Sequence, residues 1–339
     1  MLYNKLPTYI DKNPYNAKSH AAKQYMARKC INYFWPDYNV IWINSVEIYD
    51  NIEKIINSFS QKKDIIILQT EEDFLKQYDL VSLRNRIKNI KNWTDNSFII
   101  TNCYKDYLVT KEILNVKFKP GILDLICYQP YTLSEKEFTN YNDIKYHSAF
   151  VYNRKDLARN AIQQLLLEHK KKTSAIVYNN KLYWSQLEEK NSIIINKTEP
   201  IDPPFLQIQN DYPWSRSSAF HLVIEPFNNI TLEKMCEYTP ILSEKTYKAI
   251  HHCRPALIYS GPGTRDYLQK LGFDTWDWLI DWSFDKEQDR KKGFILFLNE
   301  LKRLLNLDIN SIKNKIELNK LSLNKNRNQL FFLINNYAS

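Results

Sequence analysis

Apolar residues recur along this chain in short blocks, separated by stretches with helical spacing. Asn39-Val-Ile-Trp-Ile43 reads as a strand, and Val46 to about Phe59 as a helix. Asp64-Ile-Ile-Ile-Leu68 and Ser97-Phe-Ile-Ile-Thr101 are nearly continuous apolar runs. That is the pattern of a parallel strand covered on both faces. Tyr104 to Leu114 is again helical. From Tyr128 to Asn142 the chain turns polar and rich in turn formers, which predicts a boundary between two domains, 1–140 and 141–339.

The second half repeats the alternation. Tyr146 to Tyr152 is a strand, Arg154 to about His169 a helix, and Thr173–Val177 and Ser192–Ile195 are short strands. Ala219–Ile224 and Pro255–Tyr259 are strands on either side of a helix from Ser243 to Ile250. Helices follow at Gly263–Leu271 and Lys286–Leu305, with one final helix from Ser311. Strand and helix alternating in both halves predict the α/β class: two Rossmann-like domains facing a cleft. Leu133-Ser-Glu-Lys136 echoes Leu242-Ser-Glu-Lys245, but it lacks a strand–turn–helix context and makes no internal repeat.

Composition narrows this picture. With 44% apolar and 25% charged residues the chain is not wholly disordered, and with only 5 glycines it is neither collagen-like nor a Gly-rich linker. No apolar run approaches the ~20 residues of a membrane span, and Met1-Leu-Tyr-Asn-Lys-Leu-Pro7 has no apolar signal core. The expectation is a cytoplasmic protein without a membrane span. A net charge of +9 favours an anionic partner, nucleic acid among the candidates. Much of that charge lies in Lys runs such as Lys170-Lys171-Lys172, which also read as solvated surface. The 5 cysteines form no C-x-x-C pair and are read as reduced thiols. His251-His252-Cys253 has no further ligands at metal spacing, so no metal site is expected. Neither D-x-D nor a Walker-type G-x-x-x-x-G-K occurs.

Two segments carry candidate chemistry. Ser243 is a good N-cap, which puts Glu244 and Lys245 in the first turn of a helix. A lysine there opposes the helix dipole unless an anion sits on the helix end. A glutamate beside it is placed to accept from ribose hydroxyls. The segment is either a grip for a nucleoside diphosphate or an ordinary exposed first turn. Upstream, Asn153-Arg154-Lys-Asp-Leu-Ala-Arg159 is a basic loop entering a helix from a strand end. Its arginines either clamp phosphate or decorate an amphipathic helix.

Taken in order, these segments resemble the α1,3-fucosyltransferases and their bacterial relatives, glycosyltransferases of GT-B architecture. Tyr152-Asn153 and Arg159-Asn160-Ala161 are similar to that family's strand, loop and Arg-Asn-Ala. Phe220-His-Leu-Val-Ile-Glu225-Pro226 resembles its Phe-x-Leu-x-Phe-Glu-Asn, and Leu242-Ser243-Glu244-Lys245 its Val-Thr-Glu-Lys. Arg254-Pro-Ala-Leu-Ile-Tyr-Ser-Gly-Pro-Gly263 matches the strand that ends in Gly-Ser-Pro. The likeness covers residues 147–270. It implies that Arg159 and Lys245 hold the donor diphosphate, with Asn153, Arg154 and Ser243 beside it. It further implies that Glu244 takes the ribose and that Glu225 lines the nucleotide site. Pro226 and Ser243 depart from the family's Asn and Thr, so the donor stays open between a GDP- and a UDP-sugar, with no other cofactor. Leu271-Gly-Phe-Asp-Thr-Trp-Asp-Trp-Leu-Ile-Asp-Trp282 resembles phage and virus proteins of this general type; a viral chain would work in the host cytoplasm.

In the first half the family places a general base after the second buried strand. Here Glu71 and Glu72 follow that strand, and Glu71 is the preferred base. A pair of carboxylates raises one pKa toward neutrality, although both could instead serve the next helix dipole. The expected activity is therefore inverting, metal-independent transfer of a sugar from a nucleotide sugar to an acceptor glycan or other hydroxylated acceptor. The alternatives are a basic nucleic-acid-binding protein and a phage-type glycosyltransferase acting on modified DNA.

Overall fold

The computed structural model describes residues 37–43, 51–59, 63–69, 85–87, 93–101, 115–118, 141–152, 157–178, 181–185, 216–225, 240, 242 and 244–336. The chain divides into two units, Met1–Pro130 and Tyr131–Tyr337. Both are mixed α/β and built on largely parallel sheets.

In the first unit β1 (Asn39–Ile43), β2 (Ile65–Gln69), β3 (Phe98–Thr101) and β4 (Val116–Phe118) form a parallel sheet in the order β1-β2-β3-β4. Ile65 to Leu68 are all at 0% exposure, as an apolar strand in the middle of a covered sheet requires. Helix α1 (Ile52–Asn57) buries Ile52, Ile55 and Ile56, the i, i+3, i+4 face of one helix. Ser97 is buried at the head of β3, and its Oγ accepts from the Ile65 N–H at 2.9 Å, joining β2 to β3. Helix α1 occupies only part of the predicted 46–59, where residues 44–50 lie outside the described residues, as does the helix predicted over 104–114. β4 was not predicted.

The second unit begins with β5 (Tyr146–Tyr152), α2 (Leu157–Glu168), β6 (Thr173–Tyr178) and β7 (Lys181–Ser185). It continues with β8 (Ser218–Ile224), α3 (Glu244–His251), β9 (Ala256–Tyr259) and α4 (Thr264–Lys270). Three helices complete it: α5 (Arg290–Asn306), α6 (Ile309–Leu318) and α7 (Lys320–Asn336). The sheet order is β7-β6-β5-β8-β9, with every pair parallel except β6–β7. β8 and β9 are buried along their whole length, like the apolar runs that encode them.

Two expectations are corrected here. The single helix read from Ser311 onward is two helices, α6 and α7, because Asn319 leaves helical geometry and its Nδ2 donates back to Lys315 O at 2.8 Å. The antiparallel strand β7 follows β6 directly, where no strand was expected. The strand predicted at 192–195 lies outside the described residues. At the end of α4 the Phe273 N–H donates to Leu268 O at 3.0 Å and the Gly272 N–H to Gln269 O at 2.9 Å, a Schellman closure. It requires the left-handed φ of +87° that Gly272 adopts.

Candidate functional site

The strand order fixes where a site belongs in the second unit. From β5 the chain runs through α2 to β6 on one side, whereas β8 sits on the other side and leads through α3 to β9. The connections therefore diverge between β5 and β8. In an open α/β sheet the crevice beyond the carboxyl ends of two such strands is the usual ligand position.

Three of the residues singled out in the sequence surround the carboxyl end of β8. Glu225, the residue after β8, is at 0% exposure, and its Oε1 accepts from the Thr246 hydroxyl at 2.5 Å. Its backbone N–H donates to Tyr259 O at 3.1 Å, which continues the β8–β9 ladder by one step. Arg159, in the first turn of α2, is buried, and its Nη2 donates to Ile224 O at 3.2 Å and Glu225 O at 3.1 Å. Those carbonyls stand at the end of a parallel strand, and a buried guanidinium with its several donors suits buried acceptors of this kind. Lys245 is half-buried in the first turn of α3, one residue before Thr246. Glu225, Arg159 and the start of α3 are thus brought together around a single strand end.

The other candidates are placed less fully. Glu244 opens α3, while Ser243, Asn153 and Arg154 lie outside the described residues, as do Glu71 and Glu72 of the first unit. Thr246 is the member that sequence reasoning missed. Its signal was its place on the buried face of α3, one turn before Ala249 and Ile250, where a hydroxyl must find a partner.

Arg254, just before β9, works at the opposite, amino-terminal end of these strands. It is 1% exposed, donates from Nε to Ser218 O at 3.1 Å and from Nη2 to Arg216 O at 3.1 Å, and lies over the Tyr141 ring. Burial pulls its pKa down to about 10. It is a staple between the start of β8 and the start of β9. His221, His251 and His252 are buried, the His252 ring centroid lying 5.6 Å from that of each of the other two. Among the described residues no group of three or more His, Cys, Asp or Glu side chains is placed to hold a metal ion. Among the same residues no helix is long and apolar enough to cross a membrane.

No protein-family model matches the chain, and no curated protein or solved structure matches it significantly.

Proposed function

We propose that this chain is a glycosyltransferase of the two-lobed GT-B type, transferring a sugar with inversion from a nucleotide diphosphate donor to an acceptor hydroxyl. The observation that supports it is the cluster at the carboxyl end of β8, where Arg159, Glu225 and the first turn of α3 converge beside the strand-order reversal. In this reading Lys245 and the amino end of α3 take the developing charge of the leaving diphosphate, which lowers the barrier to C–O cleavage. Glu244 accepts from the ribose hydroxyls. Glu225 is fully buried and so does not line the nucleotide as the resemblance implied; through Thr246 it holds the first turn of α3 in place. Arg159 acts mainly by fixing the carbonyls that end β8, a positioning role narrower than the direct clamp expected from sequence. Glu71 removes the proton of the acceptor hydroxyl.

The test is a melting-temperature screen of the full chain against nucleoside diphosphates, followed by titration of the best one into Lys245→Ala. GDP or UDP raises the melting temperature of the unaltered chain, and Lys245→Ala weakens its binding by about 10- to 100-fold, the worth of a charge-assisted contact. Stability is little changed, because a first-turn lysine opposes the helix dipole. A shift on duplex DNA with none on any nucleotide would replace this reading with nucleic-acid binding.

A further inference from the structure

The segment from Gly272 to Ser283 takes no part in the cluster around β8, and it carries two adjoining cavities. One, of about 640 Å³, is lined by Gln269, Asp274, Ser322 and Lys325. The other, of about 620 Å³, is lined by Arg265, Asp281, Lys286, Arg303 and Lys315. Trp278 and Asp277 belong to both. Each volume lies in the range of small-molecule sites.

The walls are rigid. Asp274 and Asn326 bond reciprocally, Asp274 N–H to Asn326 Oδ1 at 2.7 Å and Asn326 Nδ2 to Asp274 O at 2.8 Å, which pins the segment to α7. The Ser322 hydroxyl donates to Asp274 Oδ2 at 2.5 Å, and the Trp282 indole N–H to Thr275 O at 2.7 Å. Arg265 grips Asp277 through Nε at 3.0 Å and Nη2 at 2.6 Å, and the Thr275 hydroxyl donates to the same carboxylate at 3.0 Å. Arg265 thereby lowers the pKa of Asp277 and keeps it ionised. Sites with fixed polar groups lose less entropy on binding.

The chemistry of the lining selects the ligand. Three carboxylates (Asp274, Asp277 and Asp281) oppose a simple anion, and five cations (Arg265, Lys286, Arg303, Lys315 and Lys325) oppose a simple cation, two of the five being held in the Arg265–Asp277 and Arg303–Glu300 ion pairs. A hydroxyl donates to the first set and accepts from the second. The half-buried indole of Trp278, where the cavities meet, offers an apolar face to the C–H side of a sugar ring. A ligand that fills both cavities is longer than one ring. We infer that this groove binds a neutral oligosaccharide chain across Trp278. Use of that chain as the acceptor rests on the transferase reading; binding itself does not.

The experiment screens the full chain against an array of neutral glycans and titrates the best one by calorimetry into the unaltered chain, Trp278→Ala and Gln269→Ala. Gln269 is exposed, so its substitution keeps the test sound if Trp278→Ala fails to fold. An oligosaccharide should bind at least tenfold more tightly than its monosaccharide. Trp278→Ala should weaken it at least tenfold and Gln269→Ala severalfold, with GDP or UDP binding the same in all three proteins. Retention of no neutral glycan overturns the inference, as does a glycan indifferent to both substitutions. Trp278-dependent binding of single-stranded oligonucleotide in place of glycan overturns it too. Glycan binding without any nucleotide effect sinks the transferase reading and leaves the groove; nucleotide binding without glycan does the reverse.

Discussion

The hydroxyl of Thr246 ties the first turn of α3 to the end of β8 through the Glu225 carboxylate. Thr246→Val keeps the shape and removes that donor, so stability should fall by about 1.5–3 kcal/mol, the worth of a hydrogen bond to a charged group. Thr246→Ser should restore most of it. Urea denaturation of the two variants side by side reads this, and equal midpoints would break the link. The chemistry proposed for Glu71 is separable from it. Glu71→Gln should lower turnover by roughly 10²- to 10⁴-fold with donor affinity unchanged, the usual contribution of a general base. Near-normal turnover with a small loss of stability would make Glu71 a helix-end residue instead. The sequence points to Arg159 and Lys245 because a charged residue at a helix start after a strand stands out from its surroundings, whereas Glu225 is marked there only by the family resemblance. Thr246 carried a weaker signal, its place one turn before the apolar Ala249 and Ile250, which does not stand out beside a charged residue. The carbonyl contacts of Arg159 were hidden, because sequence does not say which acceptors a guanidinium meets.

α3 ends in paired histidines packed against β8 and α7, and these make the element sensitive to acid. Burial, with Arg327 and Lys248 nearby, holds His251 down to about 3. Burial, with Lys248, His221, His251 and Arg254 around it, puts His252 well below its ordinary value. Both shifts run from an unfolded value near 6.5, so below that pH the unfolded chain binds protons that the folded chain refuses. Stability is therefore complete above about pH 6.5 and is lost progressively as pH falls toward 3. Denaturation midpoints should be flat from pH 8 to 7 and decline below 6.5, and His251→Phe should reduce the slope. A variant with the unaltered slope would exclude His251 as a source. At this scale the apolar runs were legible: β1 and β5 span the residues their patterns predict. β4, at 3 residues, is too short to show a period. The break at Asn319 was hidden because Ile312, Ile316, Leu323 and Leu330 keep a helical spacing straight through it. Local side-chain bonding, not the apolar pattern, ends α6.

The two sheets differ in how far apart in the chain their neighbours lie. In the first unit each strand pairs with the next in sequence, whereas in the second β5 has β6 on one side and β8 on the other. Tyr146 of β5 is in register with Ser218 of β8, so the central strand acquires its second neighbour only after that stretch exists. Pairings of such separation are slow to form, and an unpaired strand edge invites association with other chains. At about 5–20 residues per second a ribosome takes roughly 4–14 s to cover the interval. For that time the nascent second unit carries the open flank of β5 into a crowded environment. A chain stopped at residue 210 should therefore sediment at concentrations where the full chain does not. Equal sedimentation would mean that β5 is shielded before β8 arrives. The strand-order reversal that creates the candidate crevice thus also sets a waiting period in biosynthesis, during which one flank of β5 lacks its partner strand.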